Sequence, residues 1–111
     1  MSSRAHTEEF RALFAEEARE RLAALEAAAL ACVAGDGDPE HLETMYREAH
    51  TLKGGAAVVG YEDVAQLLAA LETRLRDLKA AGLPVTADVG TAVLESSATV
   101  RTHIDTENGT A

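Results

Sequence analysis

An all-α fold, four helices in an up-down-up-down antiparallel bundle, is encoded by three features of this 111-residue chain. Apolar residues make up 47% of it but aromatics only 4%, with no Trp, a balance rich in alanine and leucine that favours helices over sheets. The apolar residues recur at three- and four-residue spacing over four stretches, the pattern of one buried face per helix. Short connections rich in Gly, Pro and Asp separate the stretches, and helices joined so tightly alternate direction around one core. The length suffices for one such core.

The opening residues 1–6 carry no periodic apolar pattern and are expected to be disordered. Thr7 ahead of Glu8 and Glu9 starts a helix over about 7 to 34, with the stripe Phe10, Leu13, Phe14, Ala18, Leu22, Leu25, Ala29 and Cys32 turned to the core. Gly35-Asp36-Gly37 ends it. Asp38-Pro39-Glu40 then supplies an N-cap, a proline at the first helical position and an acid in the first turn. This second helix buries Leu42, Met45, Ala49, Leu52 and Ala56 and ends near Val58 or Val59.

After a tight connection at Gly60 and Tyr61, Glu62 and Asp63 favour a new N-terminus. Val64, Leu67, Leu68, Leu71, Leu75 and Leu78 give the third helix, about 62 to 80, the strongest stripe in the chain. Lys79, Gly82 and Pro84 mark its end. A fourth helix, about 86 to 105, carries Val89, Val93, Leu94, Val100 and Ile104; Gly90 and its Thr, Ser and Val content make it dependent on packing. The bundle thus spans 7–105, with a flexible tail at 106–111.

Charge and motif content exclude several functions. A formal net charge of −9 leaves no basic stripe for nucleic acid or an anionic membrane surface. No signal-peptide core and no apolar run of about 18 residues occurs. Cys32, the one cysteine, reads as a small core residue in a reducing compartment, and the expected location is cytoplasmic. His6, His41, His50 and His103 form no pair at three or four residues' spacing, so no metal site is expected. No phosphate-binding loop is present, and there is too little chain for an ATP-binding kinase domain.

The informative segment is His50-Thr51-Leu52-Lys53-Gly54-Gly55-Ala56, because it sets two glycines in a helix of good helix formers, each costing about 1 kcal/mol relative to alanine. On a helical projection the centre of the apolar stripe lies roughly 130° from His50, which therefore faces outward. Position 50 lies eleven residues before the pivot near Tyr61 and position 72 eleven after it. Glu72 should therefore stand level with His50 on the neighbouring antiparallel helix. A carboxylate there accepts the Nδ1 proton, directly or through water, fixing the tautomer and leaving Nε2 as a nucleophile. A solvated flank role for Glu72, paired with Arg76 or Lys53, fits the spacing equally well. Lys53, one turn after His50, offers a cation to phosphoryl oxygens. Gly54 leaves the surface beside the imidazole flat, and Ala57, Ala65 and Ala69 extend the patch as a docking face.

His50 to Ala56, then Gly60, then Leu71-Glu72 resemble the signature of histidine-containing phosphotransfer (HPt) domains, H-x-x-K-G-x-x before a glycine and a later leucine-glutamate. The resemblance covers about residues 8 to 104 and is greatest to the P1 domain of chemotaxis-type histidine kinases. It implies a phosphoacceptor at His50, an assisting lysine at Lys53 and a flat docking glycine at Gly54. It also implies a histidine kinase and a response-regulator receiver as partners, no kinase active site, no cofactor beyond Mg²⁺ held by the partner, and a monomeric domain. P1 domains usually carry a second histidine one turn before the glutamate; this chain has Ala69 there, so Glu72 is expected to act directly or through water. A non-catalytic helical adaptor or dimerisation module would account for the bundle but not for the glycines, the lysine or the level glutamate.

Overall fold

The computed structural model describes residues 2–108, with side chains from Thr7 onward. It consists of α1 (Ser2–Val33), α2 (Pro39–Val58), α3 (Glu62–Ala80) and α4 (Ala87–Glu107) in one antiparallel bundle. α1 lies against both α2 and α4, and α3 against α2, while α3 and α4 touch least. Among the described residues no helix is long and apolar enough to cross a membrane.

Local chemistry sets most boundaries. The Asp38 carboxylate accepts the Glu40 amide at 2.9 Å, capping α2 ahead of Pro39. At the α2–α3 turn Gly60 has φ +82°, a conformation glycine adopts without steric penalty. The Tyr61 amide there donates to Ala56 O at 2.9 Å and the Gly60 amide to Ala57 O at 3.2 Å, satisfying carbonyls of the last helical turn.

Both ends of the bundle run longer than 7–105. α1 begins at Ser2, ahead of the expected start at Thr7; no Gly or Pro stands between Ser2 and Thr7 to stop a helix from extending backwards. α4 continues through Thr106 to Glu107, and Asn108 ties off its end by donating to Ile104 O at 2.8 Å and to the Tyr61 hydroxyl at 3.3 Å. The rest of the disorder expectation, Met1 and 109–111, lies outside the described residues.

Leu22, Leu25, Met45, Leu52, Leu68, Leu75, Val93, Val100 and Ile104 are fully buried. Of the expected α1 stripe, Ala18, Leu22, Leu25, Ala29 and Cys32 are buried and Phe14 packs against the core, while the first turns differ. Phe10 and Leu13 are 57% and 61% exposed; the core positions are Ala15, Ala18, Leu22, Leu25, Ala28, Ala29 and Cys32. One turn before Ala15 stands Arg11, whose guanidinium covers the Tyr61 ring at 4.8 Å and whose Nε donates to Val59 O at 3.0 Å. Small residues take the inner face because the helices approach closely. A Cβ on Gly90 of α4 would lie 2.7 Å from Ala29 O of α1, and one on Gly55 of α2 2.8 Å from the Phe14 ring. Leu67 and Leu78 are half-buried at the edge of the α3 stripe.

Charged groups bind the helices laterally. Arg21 of α1 reaches buried Glu48 of α2 at 3.0 Å. Arg101 of α4 grips Glu26 of α1 with Nε at 2.7 Å and a terminal nitrogen at 2.9 Å, and buried Ser97 donates to the same carboxylate. No buried side-chain polar atom among the described residues lacks a partner, as native interiors require.

Candidate functional site

The antiparallel pairing of α2 and α3 brings His50 and Glu72 together, as the distances from the turn predict. His50 Nδ1–H donates to Glu72 Oε2. The second carboxylate oxygen, Oε1, accepts from Lys53 Nζ at 2.7 Å. Glu72 is buried at 5% exposure, while the His50 side chain is 61% exposed. The buried carboxylate is thus an anchor, and the imidazole stands above it with Nε2 pointing away.

Burial alone would push the Glu72 carboxyl up, but the hydrogen bonds from Lys53 and His50, reinforced by their charges, outweigh it and hold the group below its ordinary range. Glu72 is therefore an anion at neutral pH. An anion at Nδ1 fixes the tautomer with the proton on Nδ1, so Nε2 carries the free lone pair. When Nε2 attacks an electrophile the ring becomes cationic, and the same carboxylate stabilises the charge as it forms. Of the two roles the spacing allowed Glu72, a ring-orienting acceptor and a solvated flank residue, the geometry supports the first, with Lys53 as a second partner. Arg76 is exposed.

Lys53 is engaged with the carboxylate and is not extended into solvent beside the imidazole, because the buried anion on α3 draws its ammonium inward. Gly54 lies one turn beyond His50 and is exposed, with no atom within 4 Å of where a Cβ would stand. Ala57 is exposed on the same face; Ala65 and Ala69 are half-buried on the α3 side. Ala69 leaves no histidine between the ring and the carboxylate, and the contact is direct. Gly55 belongs to a different task from Gly54: it makes room for Phe14 of α1.

Sequence reasoning missed the group on the other side of His50. Tyr46, one turn before it, stacks on the imidazole with ring centroids 6.2 Å apart and planes 18° from parallel. Lys79 of α3 sits 5.7 Å from the Tyr46 centroid and pairs with Glu43 at 2.7 Å. The i, i+4 relation of Tyr46 and His50 was the available signal. His50 stands open to solvent on the face of α2. A cleft of about 700 Å³ runs along α1 and α2, lined by Leu13, Glu16, Glu17, Glu20, Arg21 and Glu48, and does not include the histidine. A reaction at Nε2 must therefore take its remaining walls from another molecule.

Comparison with known proteins agrees with this geometry. The family model for the Hpt domain matches residues 9–105. The chemotaxis protein CheA of Rhizobium meliloti (strain 1021) is 34% identical over 89 residues, 80% of this chain, and CheA of Halobacterium salinarum is 35% identical over 75 residues, 68% of this chain. The chain spans only 12% and 11% of the length of these two relatives. Among solved structures, the phosphorylated P1 domain of CheA3 in complex with CheY6 from R. sphaeroides superposes with a TM-score of 0.85 at 28% identity, over 93% of this chain and 80% of that one. The CheA phosphotransferase domain from Thermotoga maritima gives 0.80 at 25% identity, over 89% and 94%.

Proposed function

This chain belongs to the Hpt domain family, and from that premise we propose that His50 is the phosphoacceptor through which it carries a phosphoryl group from a histidine kinase to a response-regulator aspartate. The observation that carries the assignment is the pairing of an exposed imidazole with a buried, ionised Glu72 at Nδ1. In the forward step the Nε2 lone pair forms an N–P bond while the bond from phosphorus to the donor's leaving oxygen breaks. The ring holds the resulting positive charge against Glu72. In the return step the receiver carboxylate attacks phosphorus, the N–P bond breaks, and the neutral Nδ1–H imidazole is restored.

Gly54, Ala57, Ala65 and Ala69 are proposed to form the small-residue face on which the partner settles, a role supported by the open space at Gly54. An Hpt domain is a phosphotransfer domain and not a kinase catalytic domain. The partner is proposed to supply Mg²⁺, with no cofactor resident in this chain, and the carrier is proposed to act as a monomeric domain in the cytoplasm, where an ATP-dependent donor draws its phosphate. CheA3 P1, the structural relative with TM-score 0.85, is itself phosphorylated and bound to CheY6, which supports a receiver of that kind as the acceptor.

The test is His50→Gln. The histidine is outward-facing, so the variant should keep its helix content and melting temperature while losing all acid-labile, base-stable label from a phosphorylated donor. Equal labelling of the variant and the wild-type protein would refute the assignment.

A further inference from the structure

Glu72 fixes the imidazole at one point only. A hydrogen bond at Nδ1 sets which edge of the ring faces the protein, but one such bond on a side chain with two torsions restrains the tilt of the ring plane only loosely. Tilt decides where the Nε2 lone pair aims, since the lone pair lies in the ring plane and the phosphoryl group must arrive along it. Something else must hold the plane.

Residues 46 and 50 are one turn apart on α2, and helical side chains lean back toward the N-terminus. The His50 ring is thereby laid toward Tyr46, with the planes within 18° of parallel and the centroids offset at 6.2 Å, a separation in the favourable range for offset rings. Tyr46 is itself fixed: it is half-buried and packed against the core, and Lys79 sits 5.7 Å from its centroid while held by Glu43 at 2.7 Å. In the opposite direction along the helix the space over Gly54 is empty. The imidazole therefore has one supported side and one open side.

We propose that Tyr46 is a positioning residue for phosphoryl transfer: its ring is a shelf that, with Glu72, fixes the plane of His50 and aims Nε2 toward a partner arriving over Gly54. This rests on the phosphoryl-carrier reading of His50. The stack uses the ring and not the hydroxyl, so phenylalanine should replace tyrosine and an aliphatic residue should not.

The experiment compares the wild-type protein, Tyr46→Phe and Tyr46→Leu. Each is loaded with phosphoramidate, and transfer to R. sphaeroides CheY6 is followed in single turnover across receiver concentrations. Tyr46→Leu should lower the limiting rate about tenfold, the order of loss expected from a misaimed nucleophile, with the half-saturating concentration unchanged; Tyr46→Phe should transfer at the wild-type rate. The carbon-bound ring protons of His50 should move in the NMR spectrum of the leucine variant, as the ring current of Tyr46 is lost, and stay in place in the phenylalanine variant. A leucine variant with the wild-type limiting rate and unmoved resonances overturns the shelf. So does equal loss in both variants, which would assign the effect to the hydroxyl, or a loss only in half-saturation, which would make Tyr46 a docking contact. If wild-type protein takes no label on His50, the carrier reading itself fails. If it takes label but CheY6 accepts none, the ring-proton comparison alone decides whether the shelf exists.

Discussion

Replacing Glu72 tests the centre of the site, because one carboxylate anchors both Lys53 and His50. Glu72→Ala removes the acceptor at Nδ1, and the imidazole must then choose its tautomer and orientation in solvent. The cost follows from what the contact does during transfer: it is a hydrogen bond to a ring that becomes cationic. Hydrogen bonds to charged groups contribute about 1.5–3 kcal/mol, and each 1.4 kcal/mol is about tenfold in rate. His50 is 61% exposed, so water replaces part of the interaction and the lower half of that range applies. A loss of about 10- to 30-fold in transfer rate is expected, not abolition. Glu72→Gln should fall between, since the amide oxygen can still accept from Nδ1–H but brings no charge. Stability should change little in either variant, by about 1 kcal/mol or less, because the Lys53 side chain is 32% exposed and can turn its ammonium to water. The assays are single-turnover transfer and ¹⁵N NMR of His50, which reads the tautomer. Wild-type transfer together with an unchanged tautomer in Glu72→Ala would refute the orienting role.

The same substitution should act with opposite signs at two helical glycines. Gly54→Ala places a Cβ in open space and should stabilise the fold by about 0.5–1 kcal/mol in thermal or denaturant melts, while Gly54→Glu should block a receiver and spare labelling by phosphoramidate. Gly90→Ala would drive a Cβ to 2.7 Å from Ala29 O, a backbone atom with no rotamer to yield, and should destabilise by about 1–3 kcal/mol; a neutral result at Gly90 would mean that α1 and α4 pack less closely. For Glu26, the hydrogen bonds from Arg101, followed by the one from Ser97, outweigh burial and hold its carboxyl below the ordinary value of 4.5. A depressed folded-state pKa contributes stability that is complete above the unfolded value and is lost as pH falls through the folded one. Arg101→Leu should therefore cost about 1 kcal/mol at pH 7, and the gap to the wild-type protein in denaturant melts should close below about pH 4; a gap independent of pH would refute the pairing.

What could be read in the sequence depended on how local the cause was. Asp38-Pro39-Glu40, Gly60 and Gly82 act on their own neighbours, and the starts and stops they mark for α2 and α3 match the structure. From Ala18 to Cys32 the inner face of α1 matches the expected stripe, but its first turns were not legible in this way. Phe10 and Leu13 are large, apolar and correctly spaced, yet both are exposed and the buried positions nearest them are Ala15 and Ala18. The contacts that α1 makes there, such as Phe14 against Gly55 and Arg11 over Tyr61, are with partners that lie far along the chain. At the site, His50 and Gly54 were legible from their motif and Glu72 from the symmetry of a hairpin. The contact of Lys53 with Glu72 was one of the pairings the spacing allowed, whereas the Tyr46 stack depends on side-chain rotamers, which spacing does not specify.

Lys53 gains its meaning from Glu72. At rest, one buried carboxylate is shared by an ammonium and a neutral imidazole, and the local charges cancel. Arrival of a phosphoryl group makes the ring cationic and sets several anionic oxygens above it. The ring then takes a larger share of Glu72, and the ammonium, one turn from His50 on a flexible stem, is drawn toward the new oxygens. On the proposed carrier reading, a lysine held by the carboxylate and a lysine that stabilises phosphohistidine are successive positions of one side chain, and Glu72 is left paired with the cationic ring. On a domain with a formal charge of −9, the ring and Lys53 would thus offset part of the charge that a phosphoryl group adds and ease the approach of the proposed acidic receiver site to His50.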